Sequence, residues 1–246
     1  MRRHLAFLLC LMVMPSAASG GVFDEFQVFD GKITEPGSFD LNQHVNIGRR
    51  GRSGEGAPRN GVLSTTEIGY ATRPWHEVAV YIPVLQEFSG GTFGGGFKLR
   101  NTFVQPGAAD RPLAMGFDIE LHHQPSRFSD SRWAVTLRPI LDFRSGRWQL
   151  ILNPSIEVPF GGGDVVFAPA VRGVVRVAEQ VWIGLENYMD FGRVDHWETP
   201  RRQAHQLFAT VDTRLTERVG LHLGVGRGLT NASEAWAGKL IISVDF

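Results

Sequence analysis

The chain has 246 residues, with 25 lysines and arginines against 25 aspartates and glutamates, so its formal charge at pH 7 is zero. That balance, slightly acidic once Arg2 and Arg3 are set aside, leaves no basic footprint for nucleic acid. Cys10 is the sole cysteine, which excludes a disulfide framework, and 29 glycines with 11% aromatic residues favour β-structure over long helices.

Arg2 and Arg3, an apolar run over residues 5–14 and small residues over 15–20 have the layout of a secretory signal, with cleavage expected after Ala18 or Gly20. The run is half the roughly 20 residues a spanning helix needs, and no later stretch approaches that length. The expected organisation is a cleaved signal peptide over 1–20, a periplasmic or lumenal segment over 21–37, and a β-barrel over 38–246. Phe23, Phe26, Val28 and Phe29 give the middle segment enough apolar content to be ordered.

From there, turn signals divide the sequence into alternating segments that predict strands at 38–47, 61–73, 76–85, 95–105, 112–123 and 131–142. They continue at 147–158, 165–177, 181–191, 205–215, 219–228 and 235–246. Most approach the roughly 9–11 residues of a tilted membrane strand. Pro139, Pro154 and Pro169 fall within these segments and must sit at breaks or bulges, because proline lacks the ladder donor.

The links alternate in length. Those at 74–75, 106–111, 143–146, 178–180 and 216–218 are short, whereas those at 48–60, 86–94, 124–130, 160–164, 192–204 and 229–234 are mostly longer and rich in Gly, Arg, Ser or Pro. Outer-membrane barrels sort their loops this way, with short periplasmic turns and longer outer loops. The expected fold is therefore all-β, a transmembrane antiparallel up-and-down barrel of about 12 strands.

Period-2 alternation divides each strand into an oily and a wet face. In the final strand Trp236, Leu240, Ile242, Val244 and Phe246 share the oily face, opposite Lys239 and Asp245, and close the barrel. The same division assigns Asp40, His44, Glu67, Lys98, Arg100, Asp118, Glu120 and His122 to the lumen. Arg138, Arg172, Arg176, Glu186, Asp212, Arg214 and Lys239 join them from later strands. Both signs are present in similar numbers, which suits a network of ion pairs that stiffens the wall. A sharper reading places arginines of 132–176 against acids of 67–77 and 118–120 as opposed ladders along a narrow pore.

Catalytic and metal signatures are weak. His122 and His123 are adjacent and face opposite sides, and the remaining histidines lack ligand spacing. A barrel lipid hydrolase would pair an outward His and Ser two positions apart with a supporting Asn, and no His-x-Ser occurs. The glycine triplets at 94–96 and 161–163 do not lead into a phosphate-binding helix. Arg49, Arg50, Arg52 and Arg59 make the first long loop basic, a candidate contact for lipopolysaccharide phosphates.

The blocks Leu41-Asn42-Gln43-His44-Val45-Asn46, Phe97-Lys98-Leu99-Arg100, Arg138-Pro139-Ile140, Phe167-Ala168-Pro169-Ala170 and Ala204-His205-Gln206-Leu207-Phe208 bear on the family. So do residues 224–230 and the closing Lys239-Leu240-Ile241-Ile242. Together they resemble a family of uncharacterised proteobacterial outer-membrane barrels, distantly similar to the phenol-degradation MetA-pathway transporter-like barrels. The resemblance implies fold and location and only loosely transport, and it assigns no functional residue.

The expectation is a non-enzymatic outer-membrane channel that passes a small solute, without cofactor or bound metal. Its expected partners are outer-membrane lipid, lipopolysaccharide and the barrel-assembly machinery during insertion. The alternatives are a structural or partner-binding barrel with an occluded lumen, a barrel lipid hydrolase, and a soluble periplasmic β-sandwich.

Overall fold

The computed structural model describes residues 25–50, 60–126, 128 and 131–246. The signal segment and Arg52 and Arg59 of the basic loop lie outside the described residues, and the side chains of Arg49 and Arg50 are likewise not described. The chain forms twelve antiparallel strands, each bonded to the next. They are β1 (Phe39–Arg50), β2 (Gly61–Arg73), β3 (His76–Glu87), β4 (Thr92–Gly94 and Phe97–Val104), β5 (Leu113–His123) and β6 (Trp133–Ser145). Then follow β7 (Trp148–Asn153 and Ile156–Pro159), β8 (Val166–Phe167 and Ala170–Ala178), β9 (Val181–Asp190), β10 (Ala204–Arg214), β11 (Val219–Gly228) and β12 (Glu234–Asp245). A small hairpin, Gly192–Arg193 with His196–Trp197, extends the β9–β10 link.

Closure is made by β1 and β12, whose register runs from Asp40 opposite Asp245 to Asn46 opposite Lys239 and beyond. The Phe246 amide donates to the Phe39 carbonyl at 2.9 Å, so the ladder reaches the last residue. Among the described residues each wall strand is paired with a neighbour on both sides and the sheet closes on itself, as a barrel in a hydrocarbon layer requires.

The in-strand prolines are accommodated by paired interruptions. The β6–β7 ladder runs from Leu141–Leu152 to Leu137–Ile156, and the gap between holds Pro139 on one side and Pro154 on the other. Pro83 in β3 likewise faces the break in β4, where the Gly95 amide donates to the Pro83 carbonyl at 2.8 Å. Pro169 occupies the break in β8, and its carbonyl accepts from Met189 at 3.0 Å. A residue without an N–H does least harm where the partner strand has already turned away.

The two faces separate by residue parity. The outer wall leaves Ile47, Ile68, Ile82, Leu150, Leu185, Val211, Leu223, Val225 and Ile242 exposed. Exposed aromatics gather towards the strand ends, with Trp75, Phe143, Trp148 and Phe246 near the tight turns and Phe97, Trp133, Trp197 and Trp236 near the longer loops. The interior is the reverse: Glu67, Asp118, Glu186 and Lys239 are buried there. An apolar outside and a charged inside invert the layout of a water-soluble core.

Residues 25–34 cross the inside as a strap. The Phe29 amide donates to Asn153 Oδ1 at 2.8 Å, and Asn153 Nδ2 returns a bond to the Phe29 carbonyl at 2.9 Å. Gly31 donates to Asp142 at 3.3 Å and Thr34 to Glu77 at 3.0 Å. Ile33 packs on Val104, Ala108 and Ala114. At Gly31 a Cβ would lie 2.7 Å from the Ala114 side chain, so glycine lets the strap touch the wall. Residues 29–34 are thus held against the inner wall, and Glu35, Pro36 and Gly37 beyond them are exposed.

Candidate functional site

The interior charges form clusters, each spanning neighbouring strands. On the β1–β4 side Arg100 bridges Glu67 at 2.9 Å and Glu77 at 2.8 Å, and also donates to the Tyr81 hydroxyl. His44 Nε2 lies 2.8 Å from the second Glu67 oxygen. Asp40 accepts from Asn42 at 2.6 Å and from Thr34 of the strap at 3.4 Å.

Across β4–β6, Lys98 binds Glu25 of the strap and lies 3.7 Å from Glu120. Arg138 binds Asp118, which also accepts from Thr102 at 3.2 Å. His122 sits beside the Thr136 hydroxyl at 3.4 Å. The Phe29 ring of the strap is covered by both guanidiniums, 5.1 Å from Arg100 and 4.2 Å from Arg138.

On the β8–β12 side Glu186 is the hub. It binds Lys239, accepts from the Tyr188 hydroxyl at 2.6 Å and lies 3.2 Å from Arg172 Nε. Arg172 also binds Asp212, which holds His222 Nδ1 at 2.7 Å. Burying such charges is tolerated only when each has a close opposite partner and its remaining valences are satisfied.

Between the strap and the β8–β12 wall runs a cavity of about 450 Å³. Its lining includes Asp30 and Lys32 from the strap, Asp40 and Glu67 from one wall, and Arg172, Asp212, His222 and Lys239 from the other. Towards the tight turns it continues past Trp182, Arg214, Glu217 and Arg218.

Fourteen of the fifteen lumen candidates are thus gathered into these clusters and the cavity between them. Arg176 is exposed at the tight-turn end of β8, outside both, and Arg214, exposed at the tight-turn end of β10, lines the far end of the cavity. The charges meet across adjacent strands, so Arg138 neutralises Asp118 one strand away and does not face it as an opposed ladder. On β12, Trp236, Ile242 and Phe246 are exposed and Leu240 and Val244 are half-buried on the same outer face.

Sequence reading passed over the apolar and uncharged members of the interior. Ile140 and Ile151 are fully buried on the inward face, and Phe208 fills the wall between Gln206 and Thr210. Their parity with Asp142, Asn153 and Asp212 was the available signal. The three histidines His44, His122 and His222 find separate partners, and no group of three or more potential ligands among the described residues could hold a metal ion.

The class defined by this geometry is a closed twelve-stranded antiparallel barrel with the outer-membrane layout. No protein-family model matches the chain, and no curated protein matches it. Solved structures do. An outer-membrane channel from Pseudomonas putida F1 superposes with a TM-score of 0.61 at 14% identity, over 90% of this chain and 100% of that one. The KdgM porin superposes with a TM-score of 0.59 at 8% identity, over 84% and 99%. A second KdgM structure, in complex with disordered oligogalacturonate, gives 0.52 at 10% identity, over 85% and 98%. At such identities the likeness is one of fold.

Proposed function

We propose that the chain is an outer-membrane channel for a small solute, exported by a cleaved signal over residues 1–20 and restricted by its own strap. The observation that carries this reading is the charged cavity of about 450 Å³ running along the β8–β12 wall beside the strap. Its walls offer a solute charged partners beside apolar ones such as Phe29, Val174 and Ile241, and displacement of residues 25–34 would join it to the space they fill. The fold shared with an outer-membrane channel and a porin supports the same reading. Kinship to the MetA-pathway barrels is part of the proposal and rests on the sequence blocks alone. Contacts with lipopolysaccharide and with the barrel-assembly machinery belong to it as well.

The test is conductance. Purified protein in planar bilayers is expected to give small, fluctuating channels, and deletion of residues 25–34 to give larger and steadier ones. A second reading, an occluded barrel with a structural or partner-binding role, is favoured by the dense pairing of strap and wall through Asn153, Asp142, Glu77 and Lys98. Silence both before and after deletion would select it. The barrel fold also separates the chain from a soluble sandwich, and the lipid-hydrolase alternative has no observation in its favour.

A further inference from the structure

The strap inserts one ring into the wall. Phe26 lies 5.2 Å from the Tyr188 ring and 4.8 Å from that of Phe208, while Tyr188 and Phe208 stand edge-to-face at 5.6 Å. Lys239 Nζ is 5.2 and 5.3 Å from those two wall rings and donates to the Phe26 carbonyl at 3.0 Å. Two glycines of β11 make the room. A Cβ at Gly226 would lie 2.7 Å from the Phe208 ring, and one at Gly224 would lie 2.9 Å from the Lys239 side chain.

A second observation concerns the polar side chains of the wall. Gln206, the cross-strand partner of Tyr188, is buried, yet neither its carboxamide nitrogen nor its oxygen has a hydrogen-bond partner among the described residues. Thr210, two positions beyond Phe208 on the same face, has an unpartnered hydroxyl in the same condition. Buried polar groups are left unpaired at a cost, and their recurrence on both sides of one aromatic socket points to a ligand that would pair them. The cavity meets the socket at Lys239 and Glu186.

We propose that Tyr188, Phe208, Lys239 and Gln206 form a solute subsite for an aromatic ring that carries a carboxylate or carbonyl oxygen, and that Phe26 is its resident stand-in. The ring of the solute replaces the Phe26 ring between Tyr188 and Phe208. Its oxygen replaces the Phe26 carbonyl at Lys239, and a ring hydroxyl satisfies Gln206. Calling the ligand a solute rests on the channel reading above; the site itself rests on the socket and the unpaired carboxamide.

The test is binding of 4-hydroxybenzoate to the detergent-solubilised full chain, measured by calorimetry, with cyclohexanecarboxylate as the non-aromatic control. Removing a resident competitor raises apparent affinity by the fraction of sites it held closed, so Phe26→Ala is expected to bind the probe at least about tenfold more tightly than wild type. Adding Gln206→Leu to Phe26→Ala leaves the ring socket in place and is expected to weaken binding roughly fivefold, the loss of one hydrogen bond. Equal affinity in wild type and Phe26→Ala, equal binding of the saturated ring, or indifference to Gln206→Leu would each overturn the subsite. Conductance separates the two claims. Open channels without saturable binding sink the subsite and spare the channel, whereas binding without conductance sinks the channel and spares the subsite.

Discussion

The Arg138 guanidinium lies 4.2 Å from the centroid of the Phe29 ring, so the wall and the strap are joined by a cation over an aromatic face inside the barrel. Arg100 approaches the same ring from a second strand. Such contacts are worth about 2 kcal/mol when desolvated. Phe29→Ala removes both while leaving the backbone bonds to Asn153. The expected outcome is more frequent opening in planar bilayers, with heat-modifiable gel migration unchanged. A recording indistinguishable from wild type would show that the ring does not hold the strap.

Arg100 is a different kind of residue, because it neutralises two buried acids at once. Replacing it by methionine keeps the bulk and strands Glu67 and Glu77 against each other, with the neutral Tyr81 hydroxyl and His44 left beside Glu67. Breaking a buried pair from one side costs about 3–5 kcal/mol. Arg100→Met is therefore expected to lower the unfolding midpoint in guanidinium strongly, and Arg100→Lys to fall between it and wild type. If Arg100→Met unfolds at the wild-type midpoint, the cluster does not stabilise the wall.

The glycines make a contrast that tests packing directly. At Gly226 an added Cβ meets the Phe208 ring at 2.7 Å, whereas at Gly173, facing outwards on β8, it meets nothing within 4 Å. Overpacking a fixed wall costs about 1–3 kcal/mol, and an open position within about 0.5 kcal/mol. Gly226→Ala should destabilise and Gly173→Ala should not, measured by the same unfolding assay in lipid vesicles. Equal midpoints would mean that the Phe208 ring moves freely.

Much of this was legible from parity. Lys239, Asp118 and Arg138 announce an inward face because charges recurring at every second residue of a strand mark the side turned away from lipid, and the alternating loop lengths supplied closure. Ile140, Ile151 and Phe208 carry the same parity, yet an apolar side chain on a wet face looks like noise until its partners are known. The strap was harder still. Nothing in Phe26 or Phe29 says which strand receives them, since those contacts join positions 124 residues apart in one case and 213 in another. The prolines show the reverse: Pro139 and Pro154 read as defects in separate strands and become one shared opening when the strands are paired.

Leu240 and Lys239 are neighbours in β12 with opposite fates, and exchanging their chemistry tests the membrane reading. Lys239 is buried against Glu186, whereas Leu240 sits half-buried on the outer face between Val45 of β1 and Leu223 of β11. An arginine on a lipid-facing strand costs about 2–4 kcal/mol at mid-depth and little near the interface. Leu240→Arg is therefore expected to reduce folding into vesicles and to lower the unfolding midpoint, while Trp236→Arg, nearer the strand end, is expected to change either much less. A protein whose outer face met water would tolerate both equally, because an exposed arginine there gains hydration and loses only a few contacts. Equal tolerance of the two variants in vesicles would remove the lipid belt from this surface, and with it the placing of Leu240, Ile242 and Val244 against acyl chains.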